Sequence, residues 1–143
     1  MNKRYKHNKN TVSLYNFHLV FCPRYRRKIF AIDGVEARFK ELVHQICETN
    51  NIEVLAIGCG ADYCHLFVDP PPDKSPADVM RLIKSHTTTH LRNEFETLSQ
   101  CATIWTRNYF VSTEESLSLE TVHKYVDSQK KRELSAKNNL ESP

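Results

Sequence analysis

Residues 52–72, IEVLAIGCGADYCHLFVDPPP, decide the fold. Residues 52–58 are rich in branched and apolar side chains, and turn signals at Gly58 and Gly60 follow them. Residues 63–68, YCHLFV, form a second extended run. Pro70, Pro71 and Pro72 stop it, because proline lacks the N–H that a sheet ladder needs. Successive strand side chains point to opposite faces. Cys64, Leu66 and Val68 therefore share one apolar face, which should meet helices, and Tyr63, His65 and Phe67 share the other, more open face.

The flanking pattern extends this reading. Residues 14–22, LYNFHLVFC, read as a strand ended by Pro23, with Phe17, Leu19 and Phe21 on one face and Asn16, His18, Val20 and Cys22 on the other. Residues 35–50 place Val35, Phe39, Leu42, Val43 and Ile46 at helical spacing. Ser75, Pro76 and Asp78 form a helix start, and the helix runs to about Phe95 with Val79, Leu82, Ile83, Leu91 and Phe95 inward. Residues 103–112, TIWTRNYFVS, read as a strand, and 116–133 as a last helix. The order β-α-β-β-α-β-α predicts an α+β fold: a ferredoxin-like, RRM-like antiparallel sheet with helices on one face, plus a C-terminal helix. In that topology the first and third strands are central neighbours. Residues 1–13 read as a basic arm, 14–134 as the domain, and 135–143 as a flexible tail.

A chain of 143 residues, 40% hydrophobic and 26% charged, has the composition of one globular domain. No apolar run approaches the roughly 20 residues of a membrane helix, and the basic, polar start is not a secretory signal. Cys22, Cys47, Cys59, Cys64 and Cys101 are odd in number and scattered, which fits free thiols in a reducing, cytoplasmic setting. Their spacing with histidine matches no common structural zinc pattern. The net charge is only +3, but it is clustered: Lys3, Arg4, Lys6 and Lys9; Arg24, Arg26, Arg27 and Lys28 around Tyr25; Lys130, Lys131 and Arg132. Each run alone reads as solvated surface. Together they point towards phosphate and hence nucleic acid.

Two features carry possible chemistry. His18 and His65 fall on the open face of adjacent strands, where imidazoles serve as metal ligands, as general acid or base, or simply as packed histidines beside aromatics. Spacing alone reads them as packed. On the last helix Tyr125 and Gln129 are four apart on the stripe of Leu119, Val122 and Val126. Periodicity alone reads them as packing too. A phenol, with its ordinary pKa near 10, would need help to attack a phosphodiester.

Five segments in order resemble the single-tyrosine HUH transposases of the IS-two-hundred and IS-six-hundred-and-five insertion sequences. They are FHLVFCPRYRRKIF (17–30), DYCHLFVDPP (62–71), LIKSHTTTHLRNEF (82–95), IWTRNYFVST (104–113) and HKYVDSQ (123–129). The resemblance implies an enzyme that cuts and rejoins single-stranded DNA through a 5′-phosphotyrosine, with Tyr125 as nucleophile and a divalent metal, Mg2+ or Mn2+. It implies a homodimer acting on DNA with hairpin ends. The implied metal ligands are His65 and Gln129, with Tyr63 where the family has its first histidine. Three arrangements follow from Tyr63: it ligates weakly or through water, His18 supplies the missing nitrogen, or the protein binds DNA without cutting it. Arg24, Arg26, Arg27, Lys28, Trp105 and Arg107 would lie near DNA, and Lys84 would meet a phosphate. A binding module of the RNA recognition type is the other class with this fold, but its glycine-interleaved aromatic signature is missing from a chain with only Gly34, Gly58 and Gly60.

Overall fold

A computed structural model describes the backbone of residues 16–141, with the side chains of Lys130 and of 133–141 excepted. The basic arm, and the first residues expected of the opening strand, lie outside the described residues. Four strands, β1 (Phe17–Phe21), β2 (Glu53–Gly60), β3 (Tyr63–Asp69) and β4 (Phe110–Ser112), form one sheet in the order β2-β3-β1-β4. Every neighbouring pair is antiparallel, and β1 and β3 are the two central strands.

Helices α1 (Val35–Thr49) and α2 (Pro76–Glu94) cover one face. Phe17, Leu19 and Phe21 of β1 and Cys64, Leu66 and Val68 of β3 meet Phe39, Leu42 and Val43 of α1 and Val79, Ile83 and Leu91 of α2 in the main core. The alternation read from the sequence therefore sorts the faces. The start of α2 is a reciprocal cap: Asp78 N–H donates to Ser75 Oγ at 3.1 Å, and Ser75 N–H donates to Asp78 Oδ2 at 2.9 Å. A short helix, α3 (Glu96–Ser99), follows.

The last helix, α4 (Leu119–Glu141), lies on the opposite face. There Val122 and Val126 pack on Val20 and Cys22, with Tyr63, Phe110, Leu117 and Tyr125 around them. The backbone helix runs past the expected end near 133, because 133–141 hold Glu, Leu, Ala and Lys and no Gly or Pro.

The strand expected over 103–112 is broken. Only Phe110–Ser112 pair with β1, while Trp105 makes a single bridge to Pro23. The reason is the pull of the core. Ile104 and Trp105 turn inward, and the indole of Trp105, only 4% exposed, donates to Thr87 Oγ1 at 3.0 Å. Two short 3-10 turns, Arg24–Arg26 and Ile29–Ala31, also interrupt the chain where the sequence offered only a basic run.

Candidate nucleic-acid cleavage site

β1 and β3 bring His18 and His65 onto the same side of the sheet. Their register pairs His18 with Phe67 and Val20 with His65, so the two histidines are diagonal neighbours. Nδ1 of His18 and Nε2 of His65 lie 2.9 Å apart, close enough for one to donate to the other. His18 also stacks on Phe67, with ring centroids 4.1 Å apart and planes 9° from parallel. Burial holds both imidazoles below the ordinary histidine range, and His18 lowers His65 further. Both rings are therefore neutral near pH 7, the form in which imidazole offers a lone pair.

Tyr63 shares their face but turns elsewhere. Its ring lies across Gly60, its cross-strand partner, where any side chain carbon would collide with it. Its hydroxyl meets Nε2 of His123 on α4 at 3.5 Å, and the two rings stand edge to face at 5.9 Å. His123 had no role in the sequence reading, although its position two residues before Tyr125 was a signal.

Tyr125 sits on α4 with its ring 5.7 Å from Phe110 of β4. Its hydroxyl is buried and finds no hydrogen-bond partner among the described residues. Burial pushes the phenol well above its ordinary pKa, and the Cys22 thiol adds to this against a smaller opposing effect of Arg132. Gln129, one turn on, is 2% exposed. Among the described residues no hydrogen bond joins Tyr125 or Gln129 to the histidine pair.

Arg26 ties this helix to the sheet. Its guanidinium contacts Asp62 at 2.8 Å, in the turn before β3, and Asp127 of α4 at 3.5 Å. Sequence reading missed this clamp, although both acids flank motif residues. Tyr25 and Arg26 adopt left-handed backbone, φ +58 and +47, and Tyr25 stands exposed with the Arg24 and Arg27 guanidiniums 5.6 and 5.3 Å from its ring. Arg27 also donates to Cys101 Sγ. Lys28 and Arg107 are exposed.

Two residues expected near DNA make contacts within the protein. The Trp105 side chain is a core element and offers no surface to a nucleic acid. The Lys84 ammonium donates to the carbonyls of Thr106 at 2.8 Å and Asn108 at 3.2 Å, which fastens the segment leading into β4. Burial lowers it to about 8, so it is a poor candidate for an open phosphate contact.

A divalent ion, as the resemblance implies, fits this face in kind. Two neutral imidazole nitrogens aimed at one another are suitable donors. They stand without further help of the usual sort: among the described residues no group of three or more His, Cys, Asp or Glu could hold a metal.

The architecture is thus a four-stranded α+β domain that sets a histidine pair and a half-buried helix tyrosine on one sheet face. Residues 11–129 match the family described as "Transposase IS200 like", and the chain belongs to it. It is 30% identical over 100 residues to the transposase for insertion sequence element IS200 of Salmonella typhimurium strain LT2, a match covering 68% of this chain and 65% of that protein. The chain thus spans slightly less than two thirds of that relative. It is 22% identical over 120 residues to the ISDra2 transposase TnpA of Deinococcus radiodurans, covering 82% of this chain and 85% of that one. A crystal structure from Deinococcus radiodurans R1, itself assigned as a transposase, superposes with a TM-score of 0.70 at 23% identity, covering 80% of this chain and 89% of that one. The REP-associated tyrosine transposase bound to a REP hairpin superposes with a TM-score of 0.55 at 14% identity, covering 81% and 64%. No helix among the described residues is long and apolar enough to cross a membrane.

Proposed function

We propose that the protein is a transposase that cuts and rejoins single-stranded DNA at insertion-sequence ends, using Tyr125 as nucleophile on a ferredoxin-like sheet. The observation that carries this reading is the family match over 11–129, combined with a buried tyrosine hydroxyl without a partner on the face that holds His18 and His65. A buried hydroxyl left unsatisfied costs stability, so its retention calls for a functional reason.

Tyr125 Oη attacks the phosphorus, the bond from phosphorus to the 3′ oxygen breaks, and the DNA is held as a 5′-phosphotyrosine with a free 3′-hydroxyl. The phenol proton leaves as the bond forms. Rejoining reverses these steps, so no external energy source is needed. His65 and Gln129 would hold a divalent cation, Mg2+ or Mn2+, which when bound would neutralise charge at the phosphate. In the docked position the Tyr125 hydroxyl is buried, so α4 must move, or DNA must enter, before it can reach a phosphate. The Arg26–Asp127 contact is exposed on the Asp127 side and so is weak enough to open. A homodimer is the natural setting, with α4 of one subunit able to serve the sheet of the other. Arg24, Arg27, Lys28 and Arg107 are the cations placed to meet DNA backbone. The setting expected for the protein is cytoplasmic.

The test is a covalent adduct. The full chain is incubated with a single-stranded hairpin oligonucleotide from an insertion-sequence end and Mn2+, then denatured and separated. An adduct that disappears in Tyr125→Phe, with binding retained, supports the reading. Binding without any adduct in the wild type overturns it. That outcome would favour a second reading, a binder of hairpin or single-stranded DNA without cleavage, which Tyr63 in place of the family's first histidine supports.

A further inference from the structure

Which residue stands in for the histidine that Tyr63 replaces is a question the sheet geometry answers, granted the metal-assisted reading above. Nδ1 of His18 and Nε2 of His65 face each other across 2.9 Å. Two adjacent ligands of one octahedral ion, each about 2.1 Å from it, lie about 3.0 Å apart. A direct hydrogen bond explains that spacing equally well, so the surroundings decide. Phe67 stacks on His18 and fixes the plane of its ring. The Glu114 and Glu115 carbonyls and the Glu114 carboxylate lie beside that ring. Acceptors in such positions orient metal-bound imidazoles. Nε2 of His18 is buried and makes no hydrogen bond among the described residues. Tyr63, in contrast, is wedged over Gly60 with its hydroxyl at His123.

We propose that His18, not Tyr63, is the partner of His65 in a divalent-cation site, so that the ligand pair bridges β1 and β3 instead of lying along β3. Both rings are then neutral, with His18 protonated on Nε2 and His65 on Nδ1. When the ion binds, the proton between the two rings moves through solvent to the outer nitrogen of the ring that carried it, with no net proton released. A two-nitrogen site leaves four octahedral positions for water, an amide oxygen and DNA phosphate. It binds the free ion weakly and tightens when single-stranded DNA adds its oxygens.

Mn2+ alone is the probe, with the full chain labelled with nitrogen-15 in histidine. Paramagnetic broadening should reach the rings of His18 and His65 first among the seven histidines of the chain. Free Mn2+, read from its six-line electron paramagnetic resonance signal, gives the affinity. His18→Phe, which keeps a ring against Phe67, and His65→Phe should each weaken binding at least about tenfold. Tyr63→Phe should leave it within about twofold, and circular dichroism confirms that each variant is folded. Retained binding in folded His18→Phe, with loss in Tyr63→Phe, overturns the assignment. So does broadening confined to His86 and His90, which face each other along α2 with rings 4.6 Å apart. Tyr125→Phe should bind Mn2+ like the wild type. If Mn2+ binds as described but no adduct forms, the strand-transfer reading fails and this site stands. If the adduct forms but His18→Phe binds Mn2+ normally, the reverse holds.

Discussion

Removing one oxygen atom from Tyr125 should make the protein more stable while abolishing its chemistry. The Tyr125 hydroxyl is buried and has no partner among the described residues, while its ring rests on Phe110. A buried polar group without a partner costs about 1–3 kcal/mol, and Tyr125→Phe removes that cost while keeping the ring. Allowing for a small loss of packing, the variant should gain about 1–2 kcal/mol, or about 3–7 °C in Tm for a chain of this size. The pH dependence supplies an internal check. Burial raises the Tyr125 pKa in the folded state, so the native state holds a proton that the unfolded chain releases near pH 10. The stability tied to this group is complete below the unfolded value and falls as pH rises above it. Urea denaturation at pH 7.5 and 10.5 should show a steeper alkaline loss in the wild type than in Tyr125→Phe. The reasoning is refuted if Tyr125→Phe is destabilised by 1 kcal/mol or more (about one ordinary hydrogen bond), because the hydroxyl would then have a partner in the folded protein.

Other outcomes follow from the same packing. Arg26→Ala should cost about 1 kcal/mol through the half-buried Asp62 contact and should raise amide exchange in α4 more than in α1; equal exchange in both helices would mean the clamp does not hold α4. Trp105→Ala should cost about 3–5 kcal/mol while leaving DNA affinity per folded molecule unchanged; a stable variant with weakened DNA binding would restore its expected place at the nucleic acid. Lys84 titrates near 8 when folded and in the ordinary lysine range when unfolded, so between those values the unfolded chain holds more protons and stability rises with pH. Lys84→Met should remove that rise, measured as the difference in urea midpoint between pH 7.5 and 10 for variant and wild type.

The two-residue period of 63–68 and 17–21 was enough to sort side chains between faces and to bring His18 and His65 to one side, because strand alternation is a local property of the backbone. The helices were legible for a similar reason, and Ser75, Pro76 and Asp78 marked where α2 begins. Residues 103–112 misled because aromatic and branched residues suit both a strand and a core. Burial of Ile104 and Trp105 against α1 and α2 won over pairing, and local propensity does not record that competition. The two carbonyl contacts of Lys84 were not legible either: a cation looks the same in sequence whatever it faces.

By itself, then, the amino-acid order determined the first three strands and the three long helices, which faces they bury and that Tyr125 and Gln129 share one side of the last helix, since each depends on periodicity over a few residues. Only tertiary structure decided that His18 meets His65, that Tyr63 turns to His123, and that Arg26 joins Asp62 to Asp127. Those contacts span 36 to 101 positions along the chain, from Arg26–Asp62 and His18–His65 at the near end to Arg26–Asp127 at the far end. They depend on strand register and on where α4 comes to rest, and both are settled by the collective packing of the whole sheet.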